Sequence, residues 1–258
     1  MDEFSQATPA VQGATLRVLN ERWAGETKLG DHVCFILAAN PPECSAGGFD
    51  LSAPAANRMV HINWNGASVD DWANGLTNGW DSITPSYDDA ALRDVSEERI
   101  VARKVLVSAY MMHNPAALHN LPDDPTAAGK AWASRRSWEM LADMLPFIAD
   151  DDHDALLMAA TGCVGEGMGT AFAVWVLNAD LPNPRDILDN PKSYDWADPR
   201  LDRTFVVLTG VVAVATADGT KEMWDKAWAV LGNAAESDRA DLGVGAAIRL
   251  QRVAKTGW

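Results

Sequence analysis

The stretch that decides the fold is VCFILAANPP at Val33–Pro42, followed a few residues later by FDLSAPAANRMVHINW at Phe49–Trp64. Six consecutive apolar residues, Val33–Ala38, are typical of a strand buried on both faces of a parallel sheet. Met59–Trp64 predicts a second strand. Ligands of open α/β sheets bind at the carboxyl ends of the strands, so Asn40 becomes a candidate site residue.

Along the rest of the chain, the spacing of apolar residues predicts helices almost everywhere. Thr8 and Pro9 are typical of an N-cap and a first helical residue, and they open an amphipathic helix over Pro9–Trp23. Glu26–His32 predicts a small hairpin. Further helices are predicted at Ser52–Asn57 and near Val69–Leu76, Asp89–His113, Ser137–Ala149, Asp152–Thr161, Gly165–Leu177, Asp202–Ala217, Lys221–Ala235 and Asp238–Ala254. The expected fold class is therefore α/β and helix-dominated, with a partial parallel sheet in residues 1–65.

The composition argues against some classes of partner and indicates where the chain is located. The chain carries 36 acidic and 21 basic residues, a formal charge of −15, which disfavours nucleic acid or an anionic membrane as the main partner. Three scattered cysteines suit a reducing cytosol, so a cytoplasmic location is expected. The most apolar window, Thr204–Ala217, is too short to span a bilayer and predicts a buried helix.

Four side chains could carry chemistry. Asp2 could hold Mg²⁺ and Glu3 could polarise an attacking water, although paired carboxylates are also common on solvated surfaces. The Asn40 amide could bind a phosphate oxygen and water, or it could simply form a turn before Pro41. Arg58 closes the Ser52–Asn57 helix. A cation there is favourable for the helix dipole alone, and it could also act as an arginine finger.

Three segments together resemble the second half of an AAA+ ATPase core, and within AAA+ the MoxR group. They read DEFSQATPAVQGATLRVLNER, VCFILAANPPE and GGFDLSAPAANRMVHINW. Asp2 and Glu3 match the end of the Walker B strand, Asn40 matches sensor 1, and Arg58 matches the arginine finger. The family usually has an acidic residue where Asn57 stands.

The segment WASRRSWEML resembles the family's sensor 2 helix. Arg136 falls on the sensor arginine, and Arg135 competes for that role because it stands where proline is usual. The resemblance implies a P-loop NTPase core in residues 1–65, an all-α lid in 66–180 and a helical extension in 181–258.

The resemblance also implies ATP and Mg²⁺ as cofactors and a role for each matched residue. Asp2 would assist Mg²⁺ binding through water, Glu3 would activate the attacking water, and Asn40 would position it. Arg58 would act in a neighbouring subunit and Arg136 would contact the nucleotide of its own. Members of this group form homo-oligomeric rings, typically hexamers. Their partner proteins are typically von Willebrand A-like or metallopeptidase-like.

The sequence contains no phosphate-binding loop of the form GxxxxGK followed by Ser or Thr. Gly25 and Gly30 have the right spacing, but Asp31 and His32 follow them. The expectation is an N-terminally truncated AAA+ chain that begins inside Walker B and is inactive alone. The alternative is a non-catalytic helical adaptor that keeps the scaffold. In either case both predicted strands would lack the neighbour that lies between them in the family, leaving unpaired edges.

The acidic run Asp150–Asp154 could suggest a metal cluster. A helix N-cap explains it better, because adjacent residues on a helix face different directions.

Overall fold

Helices make up most of the described chain. A computed structural model describes residues 1–40, 48–80, 95–179, 182–252 and 254. The helices are α1 (Pro9–Glu21), α2 (Ala53–Ala56), α3 (Val69–Asn78), α4 (Glu97–His113), α5 (Pro125–Ala128), α6 (Arg135–Met144), α7 (His153–Val164), α8 (Glu166–Asn178), α9 (Pro184–Asp189), α10 (Leu201–Asp218), α11 (Lys221–Glu236) and α12 (Ala240–Arg252). Across the described ranges, no helix combines the length and apolar character that crossing a membrane requires.

Most of these bounds agree closely with the sequence predictions because the signals that set them are local, but the helix predicted at Ser137–Ala149 begins at Arg135 and already ends at Met144. Pro9 occupies the first turn of α1, as its fixed φ angle favours. Ser96 and Asp152 accept backbone hydrogen bonds as N-caps of α4 and α7. The predicted start of α4 at Asp89 lies outside the described residues.

A small hairpin follows α1. Its strands are β1 (Trp23–Ala24) and β2 (Thr27–Lys28), which pair antiparallel with Trp23 opposite Lys28. Gly25 lies in the turn with a φ of +62°, which a residue with a side chain rarely adopts. This two-stranded sheet is the only one within the described ranges.

The predicted parallel sheet is not formed among the described residues, so that part of the fold prediction was wrong. Neither Val33–Ala38 nor Met59–Trp64 forms a strand, and no backbone hydrogen bond joins them. Ile36 is 79% exposed, and exposure alternates along the segment. Val33–Ala38 is paired along one side only, with the first residues of the chain, and these few bonds do not form a regular ladder.

One apolar core lies between α4, α6, α7 and α8. Its centre is an aromatic group of Tyr110, Trp138, Phe172 and Trp175 with neighbouring ring centroids 5.3–6.4 Å apart. The indole N–H of Trp138 donates to the Ala117 carbonyl at 2.8 Å, so its polar end is satisfied inside the core.

A second core surrounds α10, the helix predicted from Thr204–Ala217. Eleven of its residues are buried, which confirms the prediction of a buried helix. Helices α9, α11 and α12 cover it on one side and α4 on another. Val105, Ala109 and Val206 form the contact between α4 and α10 and so join the two cores.

Candidate functional site

The first residues of the chain lie parallel to the segment that ends at Asn40. The Met1 ammonium donates to the Ile36 carbonyl at 2.7 Å, and the Ala38 N–H donates to the Met1 carbonyl at 2.9 Å. This is the hydrogen-bond pattern of a parallel pair around Leu37. The Phe4 N–H then donates to the Ala38 carbonyl. Glu3 has a φ of +52°, so the backbone turns away at this point.

This pairing brings Glu3 and Asn40 together. The Asn40 amide nitrogen, Nδ2, lies 3.1 Å from Glu3 Oε1 and 3.3 Å from Oε2. Asp2 is adjacent, and its Oδ1 accepts the Glu3 N–H at 3.0 Å. All three side chains are exposed to solvent. An amide held against a carboxylate in this way can orient a water molecule that the carboxylate activates.

Arg58 lies elsewhere, at the end of α2. Its Nη1 donates to the Pro54 carbonyl at 2.6 Å, while its Nε is buried without a partner. Burial lowers the pKa of Arg58, and the charge of Arg136 lowers it further. No carboxylate of the described residues pairs with either guanidinium. Two like charges without a counter-ion favour the binding of an anion between or beside them.

The structure also distinguishes Arg136 from Arg135 as candidates for the sensor arginine. Both arginines are exposed in the first turn of α6, but only the charge of Arg136 contributes to the lowered pKa of Arg58. Of the two candidates for the sensor arginine, Arg136 is therefore the one whose charge lowers the pKa of Arg58.

A buried asparagine that the sequence did not single out as a site residue joins the two segments that carry these arginines. Asn57 donates from Nδ2 to the Trp132 carbonyl at 3.0 Å and accepts a short hydrogen bond from the Ser134 hydroxyl. Ser134 and Ser137 form the reciprocal capping box that begins α6. Asn57 directly precedes Arg58, and Ser134 lies two residues before Arg136, so this contact joins the backbone segments that carry the two arginines. The Ser-x-x-Ser spacing was visible in the sequence, but the partner of Ser134 was not.

His61 fixes the far end of the same segment. The backbone N–H of His61 donates to the Gly162 carbonyl at 2.8 Å, and the ring Nε2 lies 2.9 Å from the Ala56 carbonyl. Burial lowers the pKa of His61, and the bond to Ala56 opposes that shift only in part. A Cβ on Gly162 would lie 2.5 Å from the His61 carbonyl oxygen, so the two backbones pack without room for a side chain.

Comparison with known proteins identifies no relative. A scan against protein-family models, a search of curated proteins and a search of solved structures each found no match. The chemistry assigned to this site therefore rests on its own side chains.

Metal binding at this site would need ligands from outside the protein. The described residues contain no group of three His, Cys, Asp or Glu side chains that could hold an ion. Asp2 and Glu3 supply two neighbouring carboxylates. Mg²⁺ commonly binds through one or two carboxylates, with water and substrate phosphate as its other ligands, so the pair fits a phosphate-bound Mg²⁺.

The acidic run near α7 behaves as the N-cap prediction expected. Asp152 Oδ1 accepts the Ala155 N–H at 2.9 Å. Asp150 pairs with Arg99 at 2.8 Å and with Arg103. Burial raises the pKa of Asp150, but its bonds to these arginines outweigh that effect and lower it. These groups border a cavity of about 740 Å³ between α4, α7 and α10, but the charges of Asp150, Arg99 and Arg103 are already paired with one another.

Proposed function

We propose that this chain forms the Walker B, sensor 1 and arginine-finger part of a MoxR-like AAA+ ATPase. In such an enzyme, ATP binding and hydrolysis drive the remodelling or maturation of a partner protein. The observation that carries the proposal is the contact between Asn40 and the Glu3 carboxylate. It forms at the end of a parallel backbone pair, where nucleotide sites of α/β folds place their polar groups.

Each residue near Glu3 has a distinct role in this proposal. Asp2 assists Mg²⁺ binding through water. The Glu3 carboxylate accepts a proton from the attacking water, and Asn40 holds both the carboxylate and the water in position. The bound nucleotide would supply the phosphate and the leaving group.

The arginines act on the phosphates. In the proposed ring, Arg58 stabilises the transferring phosphoryl group of a neighbouring subunit, and Arg136 binds the nucleotide of its own. The lowered pKa of Arg58 and the absence of a paired carboxylate among the described residues support this assignment. A phosphate beside either group would relieve their mutual repulsion.

Nucleotide titration tests the site directly. We expect Mg²⁺–ATP at millimolar concentration to shift the backbone amide NMR signals of Glu3, Asn40, Arg58 and Arg136. Arg136→Gln should weaken this response, whereas Lys192→Gln, which removes the same charge at an exposed position, should not. Equal weakening by both variants, or no response at these four amides, would refute the site.

Hydrolysis tests the role of the missing loop. The sequence has no GxxxxGK loop, so we expect the chain alone to hydrolyse ATP no faster than its Glu3→Gln variant. Turnover that Glu3→Gln abolishes would show that the chain holds phosphate by other means, and this part of the proposal would fail.

A non-catalytic adaptor is the second candidate. Open apolar faces on α1 and α3 favour it, because such surfaces bind other proteins. Protein binding that does not change when Mg²⁺–ATP is added, together with no amide response at Glu3 and Asn40, would select the adaptor.

A further inference from the structure

Helix α3 is too short to be stable in water without a surface to pack on. It has ten residues, and isolated helices shorter than about 12–15 residues are marginal in water. Gly75 in its interior lowers the helix propensity further. Every residue of α3 except Gly75 is exposed. A stable α3 therefore needs a surface that covers it.

One face of α3 is suited to such a contact. Val69, Trp72 and Leu76 are 82%, 55% and 65% exposed and recur at the spacing of one helix face, and we call them the α3 stripe. The indole of Trp80 covers Gly75, where a Cβ would lie 2.5 Å from the ring, and widens the stripe. The two carboxylates of α3 lie in its first turn, outside the stripe.

The hairpin formed by α7 and α8 carries almost no charge. Between residues 155 and 178 the sequence has one charged side chain, Glu166, although 22% of the whole chain is charged. A helix that is apolar on all sides is normally buried on all sides. This hairpin nevertheless leaves three large apolar side chains 41%, 50% and 52% exposed: Leu157, Met158 and Val174.

These side chains share one outer face of the hairpin. Gly169 of α8 packs on the backbone of Thr161 of α7, with no room for a Cβ between them. Leu157 lies four residues before Thr161, and Val174 lies five residues after Gly169. In an antiparallel hairpin these offsets place Leu157 and Val174 side by side. Phe172 faces the core, and Val174 lies about 200° around the helix from it, so the outer face points away from the core.

Helix α3 is tethered to this hairpin. The His61 N–H donates to the Gly162 carbonyl of α7 at 2.8 Å, and Val69 follows eight residues later. Eight extended residues reach at most about 29 Å, whereas α7, with 12 residues, is about 18 Å long. Residues 62–67 are exposed and share no backbone hydrogen bond with another described residue. The connection therefore allows α3 to reach the outer face.

We propose that the α3 stripe folds onto the outer face of α7 and α8 in the same chain. The structure shows the open arrangement, in which both surfaces are exposed. A short flexible linker gives an effective concentration in the millimolar range, so a second copy competes only at comparable concentrations. Neither surface carries a basic residue, which disfavours an anionic membrane as the occupant. Any helix that binds the outer face must then displace α3. The inference does not depend on the nucleotide chemistry proposed for Glu3 and Asn40.

Photo-crosslinking tests where α3 lies. Replacing Leu76 with a benzophenone amino acid should give, on irradiation, a crosslink to α7 or α8 of the same molecule, located by peptide mass spectrometry. Its yield should not depend on protein concentration, because the contact is intramolecular. The same amino acid in place of Asn74, which lies on α3 away from the stripe, should not crosslink there. A crosslink to α1, or one found only between two copies, would overturn the proposal.

Charge substitutions test the contact without a label. Leu76→Glu on the stripe and Val174→Glu on the outer face each place a carboxylate in the apolar contact. Each should therefore speed amide hydrogen exchange in α3 about tenfold or more. Val244→Glu on α12 is the matched control, since Val244 is 54% exposed and Val174 is 52% exposed. It should leave exchange in α3 unchanged. Exchange in α10 should not change in any variant, which shows that the chain remains folded.

Three results would contradict the contact. Exchange in α3 of the wild-type chain at the rate of an unstructured peptide would show that nothing covers the helix. Equal effects of Val174→Glu and Val244→Glu would show that the outer face is not involved. Faster exchange in α3 with Leu76→Glu but not with Val174→Glu would place the stripe on a different surface.

Discussion

At the residue scale, Asn57 is the buried side chain that joins the end of α2 to the start of α6. Replacing it with Ala removes its hydrogen bond to the Trp132 carbonyl, which still accepts from the Ser137 hydroxyl, and removes the short bond from the buried Ser134 hydroxyl. We predict a loss of about 1–3 kcal/mol in the free energy of unfolding. Denaturant titration measures this loss, and Asn20→Ala, at an exposed position, serves as the control.

A double-mutant cycle separates the hydrogen bond from the packing. Asn57→Ala and Ser134→Ala should show a coupling free energy of about 0.5–3 kcal/mol, as expected for side chains in direct contact. Additive losses would mean that the Ser134–Asn57 bond contributes nothing to stability.

His61 predicts a pH dependence of stability. Its pKa in the folded state lies below the unfolded value of 6.5, so below pH 6.5 the unfolded chain binds more protons than the folded chain. We therefore expect the unfolding temperature to be independent of this group above pH 6.5 and to fall as the pH drops towards the folded pKa. His61→Gln, which retains an N–H donor for the Ala56 carbonyl, should flatten that slope.

The sequence predicted some site residues and missed others for a physical reason. Glu3 and Asn40 were each named as candidate site residues because both belong to segments with recognisable motifs, but their direct contact was not predicted. The role of Asn57 depends on a carbonyl 75 residues away in the chain, and no local pattern encodes such a distance. The sequence marked Asn57 only as the position where the resembled family usually has an acidic residue. The amide nitrogen, which a carboxylate lacks, is the group that donates to the Trp132 carbonyl.

At the element scale, the segment Met59–Trp64 is held by α7 rather than by a sheet. Gly162 is the point of closest approach, since an added Cβ would meet the His61 carbonyl oxygen at 2.5 Å. We predict that Gly162→Ala lowers the free energy of unfolding by about 1–3 kcal/mol, because backbone must move to admit the methyl group.

Gly232→Ala is the matched control for that change. Gly232 lies inside α11, and nothing stands within 4 Å of a Cβ placed there. It should raise the free energy of unfolding by about 0.5–1 kcal/mol through helix propensity alone. If both substitutions stabilise, Met59–Trp64 does not pack on α7 as described.

Helices were predicted well and strands were not, for reasons that particular elements show. The bounds of α1 and α7 follow from Pro9 and Asp152, which act within one turn. Val33–Ala38 has the composition of a strand inside a parallel sheet, but among the described residues only Met1–Phe4 pairs with it. Composition can indicate a strand without showing whether its partners are present.

At the scale of the whole molecule, the two helical cores should unfold together, and α1 and α3 should unfold separately from them. Val206 and Ala109 join the cores, whereas residues 1–80 expose many large apolar side chains. We predict higher protection from hydrogen exchange in α4 and α10 than in α1 and α3.

Leu208→Ala tests the coupling between the cores. Leu208 is fully buried in α10, and its truncation should cost about 2–5 kcal/mol. Amide protection measured by hydrogen exchange should fall in α4 and α12 together, and protection of α1 should not change. A loss confined to α10–α12 would show that the cores are independent.

The position of α10 in the chain has a consequence for synthesis. The helices α11 and α12, which cover one side of it, are encoded after it, between Lys221 and Arg252. At about 5–20 residues per second, a ribosome needs on the order of a few seconds to add them. During that time the apolar surface of α10 is exposed to the cell, so newly made chains should be clients of chaperones that bind apolar segments. Loss of the last two helices should leave the protein insoluble even though α10 itself is intact.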